Sequence, residues 1–171
     1  SNPWPEEWLD GCVENYCLDP EKGIEETKWY QSLWEIVDNA LKEAEELNES
    51  AMEICEETEG PELYLEALQK DLVLIRQLQE LSDKQDYDQI VQTLQNLSFA
   101  RLSTKKMEGV SSQLKSLVKD IREDAKDILK DLGSRYFQCS LEELTELTLA
   151  SAGPLKMLVK LTKDFAQRFS D

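Results

Sequence analysis

Between Tyr30 and Ile54 the apolar side chains recur at steps of three and four: Tyr30, Leu33, Val37, Ala40, Ala44, Leu47, Ala51 and Ile54. That period belongs to an α-helix with one buried seam, and no alternation of the strand type competes with it. Around the seam stand Glu35, Asp38, Glu43, Glu45, Glu46, Glu49, Glu53, Glu56 and Glu57, so the helix has one dry side and one strongly negative side. Asp19-Pro20 offers an N-cap and a first-turn proline, and the pattern runs to about Thr58, which predicts a helix on the order of 55 to 60 Å long. Gly23 is a weak point near its start. Trp29, Trp34, Ile36 and Leu41 widen the stripe beyond that of a two-stranded coil, so at least two neighbouring helices are expected.

The rest of the chain repeats the helical theme. Gly60-Pro61 stops one helix and starts the next, and the rows Leu65, Leu68, Leu72, Ile75 and Tyr64, Leu74, Leu78, Leu81 carry the second to about Lys84. Asp86 and Gln89 form a capping pair ahead of Tyr87, Ile90, Val91, Leu94 and Leu97, a shorter helix to about Ala100. No Gly or Pro decides whether the interval from Ser82 to Asp86 is a turn or a kink. A lysine-rich helix is predicted from Ser103 to a cap at Gly133, with Met107, Val110, Leu114, Leu117, Val118, Ile121, Ala125, Ile128, Leu129 and Leu132 as its apolar set. Lys115, Lys119, Arg122, Lys126 and Lys130 fall outside that set, and this helix suits a place beside the acidic one. Ser140-Leu141-Glu142-Glu143 is a capping box. The helix after it reaches Gly153-Pro154, where a break is expected, and Leu155, Leu158, Thr162, Phe165 and Phe169 form a last row. At the other end, Trp8, Cys12 and Tyr16 lie four apart behind Trp4. The predicted architecture is all-α: an elongated antiparallel bundle of four to five helices over residues 20–171, with residues 1–19 as an aromatic arm or lid helix.

Charge narrows the functional classes. The net charge is −17, and residues 1–60 hold eighteen carboxylates against three cations, whereas 103–133 hold six against seven. Such a field repels phosphates and anionic lipid and attracts basic surfaces. The expectation is therefore a protein partner with a basic or amphipathic segment, no nucleic acid and no membrane, with a homo-oligomer possible.

Histidine is absent, which removes Ser-His-Asp and Cys-His nucleophiles, His-ligated zinc and the Glu-x-x-His iron sites of helical bundles. The six glycines are isolated, so no phosphate-cradling loop exists. Cys12, Cys17, Cys55 and Cys139 fall mostly on apolar positions and are expected as buried thiols inside a cell. A disulfide-bonded, secreted four-helix signalling protein is the alternative, supported by the sequons at Asn48 and Asn96. Glu53-x-x-Glu56 and Glu80-x-x-Asp83, on opposite arms of a predicted hairpin, resemble the paired acidic motifs of the all-α nucleotide pyrophosphohydrolases. That resemblance implies Mg²⁺ held by four carboxylates and hydrolysis of a phosphoryl bond. With 36 acidic residues in the chain, a solvated face explains the same spacing.

The expected function is thus a non-catalytic interaction or scaffold module without metal or cofactor. Glu35, Glu43, Glu46 and Glu53 would attract the partner, and Trp4, Trp8, Trp29, Trp34, Phe165 and Phe169 would anchor it wherever they are exposed.

Overall fold

The computed structural model describes residues 23–57 and 62–150, with side chains to Leu147. Among them are five α-helices and no strand: α1 Lys28–Glu56, α2 Glu62–Asp83, α3 Tyr87–Gln95, α4 Ser112–Tyr136 and α5 Leu141–Ala150. The all-α prediction holds. The N-terminal arm with Trp4 and Trp8, the Gly60-Pro61 junction, the Gly153-Pro154 break and the row ending in Phe165 and Phe169 lie outside the described residues.

The seam helix begins later than the start expected at Asp19-Pro20. Thr27 caps it: its Oγ1 accepts from the Tyr30 amide at 3.1 Å and donates to the Ile24 carbonyl at 2.7 Å. A short 3-10 turn, Ile24–Glu26, precedes the cap. At 29 residues α1 spans about 44 Å, shorter than expected.

The chain divides into two compact units. One contains residues 23–36 and 133–150 of those described; the other is Val37–Leu132. In the first, Trp29, Tyr30, Trp34 and Phe137 form an aromatic chain in which Tyr30 meets Trp34 edge-on at 5.6 Å and Trp34 lies 6.2 Å from Phe137. Such pairs contribute about 0.5–1.5 kcal/mol beyond area burial.

In the second unit α1 and α2 form an antiparallel hairpin. Ser82 donates to Asp38, Arg76 lies 3.8 Å from Glu45, and Asn48 donates to the Leu68 carbonyl at 3.0 Å. Nearer the connection Cys55 and Tyr64 share the core cluster with Ala51, Leu68 and Val118. These partners approach one another in sequence as the connection nears, as an antiparallel pair requires.

One boundary that the sequence leaves open is decided, and both ends of the lysine-rich helix depart from expectation. The interval after α2 is a true turn: the Gln85 amide bonds the Ser82 carbonyl and the Asp86 amide the Leu81 carbonyl, both at 2.9 Å. This is the Schellman pattern, with Gln85 at φ 53° in the place glycine usually takes. Asp86 then caps α3 through the Gln89 amide at 3.3 Å. The lysine-rich helix does not start at Ser103. Residues 97–111 form an irregular strap whose Leu102, Met107 and Val110 pack on the core, and Gly109 at φ +77° interrupts any helix there. Ser111 caps α4 through the Leu114 amide at 3.1 Å. The far end also moves, since α4 passes through Gly133 and ends at Tyr136. Ser140 caps α5 as its sequence box predicts, accepting from the Glu143 amide at 3.1 Å.

Candidate functional site

Trp29 and Trp34 are core residues, 8% and 4% exposed, so neither presents itself as a surface anchor. Glu35, Glu43, Glu46 and Glu53 are exposed along α1. Trp4, Trp8, Phe165 and Phe169 lie outside the described residues. Glu53, Glu56, Glu80 and Asp83 are exposed as well, and Glu80 pairs at 3.0 Å with Lys84. No three carboxylate or thiol groups converge among the described residues, so the spacing that resembles a Mg²⁺ hydrolase assembles no such site. Cys55 is a buried free thiol and Asn48, 3% exposed, spends its side chain on α2; both count against the secreted alternative. No helix among the described residues is long and apolar enough to cross a membrane.

The strap and α4 enclose a hollow of about 410 Å³ in the second unit. Phe99, Ala100, Arg101, Leu102 and Thr104 line it from the strap, and Lys115, Lys119, Arg122, Glu123 and Lys126 from α4. Five cations face the single carboxylate of Glu123. The helical period explains the bias: Lys115, Lys119, Arg122 and Lys126 fall within about 60° of arc, while Asp120, Asp124, Asp127 and Asp131 fall roughly opposite. A helix near neutrality in total is thereby basic along one edge.

Its floor is a buried ion pair. Arg122 Nε donates to Asp71 Oδ2 at 2.7 Å and Nη2 to Oδ1 at 3.1 Å, with the side chains 10% and 2% exposed. Arg122 also donates to the Ala100 carbonyl, and its guanidinium lies 5.6 Å from the centroid of Phe99. Burial pushes the Asp71 carboxyl above the ordinary carboxylate value; the Arg122 guanidinium, the Ala100 amide and Lys126 pull it back in part. The arrangement fixes both the strap and the guanidinium plane. Apolar periodicity leaves Arg122 outside the buried set. The signal that reveals it is that Asp71 interrupts the row Leu68, Ile75, Leu78 and Arg122 the row Val118, Ala125, Leu129, so opposite charges occupy seam positions on two helices.

No protein-family model matches the chain. Over nearly its whole length it resembles part of the A subunit of ATP-dependent helicase/nuclease. The protein of that name from Lachnoclostridium phytofermentans is 33% identical over 170 residues, 98% of this chain and 12% of the relative. That from Alkaliphilus oremlandii is 32% identical over 171 residues and that from Clostridium beijerinckii 28% over 171, each aligned over 14% of its own length. The chain therefore spans about one-eighth of the curated relatives it matches. These relatives are, by name, enzymes acting on nucleic acid, and they overturn the expectation of a non-catalytic scaffold and of a protein indifferent to nucleic acid. The excess of seventeen negatives conceals a helix whose charges are segregated by sign.

Proposed function

We propose that this chain is a helical segment of an ATP-dependent helicase/nuclease subunit, working on DNA inside the cell. The observation that carries the reading is the end-to-end match: 98% of the chain aligns at 33% identity, so the whole segment, rather than one motif, is shared. The chain contains no phosphate-cradling glycine loop, and its described residues bring no metal-ligating set together. Within such a subunit this segment would flank the path of the nucleic acid.

The test is enzymatic. The full-length protein that carries this chain is purified, and ATP hydrolysis is measured with and without linear DNA, alongside ATP-dependent DNA degradation. Hydrolysis stimulated by DNA is the expected result. A full-length protein whose ATP turnover ignores DNA, and which leaves DNA intact, overturns the reading.

A further inference from the structure

We infer that the hollow between the strap and α4 is a binding site for the phosphodiester backbone of nucleic acid, with Lys115, Lys119, Lys126 and Arg101 as the phosphate-contacting groups and Arg122 as the residue that positions its wall. This deepens, and rests on, the helicase/nuclease reading.

The first support is a cost that the fold alone does not repay. Lys115 and Lys119, Arg122 and Lys126, and Lys126 and Lys130 are like-charge pairs at i,i+4 on one helix. Such stacking opposes helix formation by about 0.2–0.5 kcal/mol a pair. Carboxylates on the same helix could have relieved it at other spacings. Glu123 alone lies at the hollow, four residues after Lys119, and the others fall on the far arc; among the described residues none forms an ion pair with Arg101, Lys115, Lys119 or Lys126. A multivalent anion laid along the edge removes the repulsion.

The second support is shape. From Lys115 to Lys126 the row advances about 16 Å along the helix axis. Duplex DNA carries about one charge per 1.7 Å of axis, so a backbone strand meets cations along the entire row, whereas a compact anion meets one end of it. The third is rigidity. Arg122 is held by Asp71, by the Ala100 carbonyl and against Phe99, so its own charge is largely neutralised by Asp71. It sets the depth of the hollow and leaves the lysines at its rim to the ligand. The acidic surface of α1 does not forbid this, because its carboxylates are exposed to solvent, where salt at about 0.1 M damps their reach.

The full-length protein is titrated with fluorescently labelled single-stranded and duplex oligonucleotides over a range of salt, comparing wild type with Lys115→Glu/Lys119→Glu and with the neutral pair Lys115→Gln/Lys119→Gln. The reversed pair should weaken binding by about 10- to 100-fold at about 0.1 M salt, the neutral pair by less. Both should flatten the log–log salt dependence by about 1.8 for a duplex ligand or about 1.4 for a single strand, as loss of two phosphate contacts requires. Which form shows the larger loss identifies the bound strand. Lys28→Glu/Lys42→Glu, equal in charge but on α1, should leave affinity within about twofold, and thermal melts of every variant check that it folds. Unchanged affinity in the reversed pair, an equal loss in the α1 pair, or displacement of DNA by inorganic pyrophosphate at equal phosphate concentration overturns the inference. ATP hydrolysis recorded in the same samples separates the two ideas: DNA-stimulated turnover with unaltered DNA affinity in the variants sinks the hollow and spares the reading.

Discussion

Asp71 and Arg122 form a buried pair whose members depend on each other unequally. Removing the carboxylate strands a guanidinium in an apolar setting, so Asp71→Ala should destabilise the protein by about 3–5 kcal/mol. Replacing both, as Asp71→Leu with Arg122→Met, should recover at least half of that loss, although the Ala100 carbonyl then lacks its donor. Urea midpoints for the two singles and the double measure this coupling directly. Cys55 carries a second prediction at this scale. Burial, and after it the charge of Glu56, lifts its thiol above the ordinary 9.0, while burial and then Cys55 lift Tyr64 above 10.0. Both protons are released more readily by the unfolded chain, so these groups leave stability unchanged well below pH 9 and erode it as pH climbs beyond about that value. Urea midpoints should therefore fall between about pH 9 and about pH 10.5, and a Cys55→Ala variant should fall less steeply. Tyr64 advertised its burial by its place in an apolar row, and Cys55 by its type, since the seam as read passes through Ile54 instead.

At the scale of elements, the apolar periodicity located every described helix but not every end. Ends are set by single side chains and backbone angles: Thr27 and Ser111 stop chain propagation backwards by satisfying free amides, and Gly109 breaks a pattern that Met107 and Val110 otherwise continue. Those two residues are apolar because they pack from a strap onto the core, which periodicity cannot distinguish from packing off a helix. The turn after α2 was hidden because Gln85 adopts the left-handed conformation without being glycine. Its side chain costs about 1 kcal/mol there. Gln85→Gly should thus raise the unfolding free energy by about 0.5–1 kcal/mol, with an unchanged denaturant slope, despite glycine's greater freedom in the unfolded chain.

For the whole molecule, fold class was legible because burial imposes a period on sequence, whereas the basic edge was obscured because net charge has no direction. Sorting the charges of α4 by arc, rather than summing them, exposes the basic edge from sequence, and with it a reason to expect an anionic ligand. Asp71 and Arg122 require tertiary knowledge, since nothing local pairs residues 51 apart. That pairing has a consequence for motion. Ala100 sits in an irregular segment, yet its carbonyl is held by Arg122, and its amide helps to pull the Asp71 carboxyl back down. Backbone in loops ordinarily trades hydrogen for deuterium within moments, through local fraying. Because its carbonyl is pinned to the core ion pair, this residue opens only when the strap lifts away there, so its amide should exchange more slowly than its strap neighbours, a sluggish proton marooned in a quick-exchanging stretch.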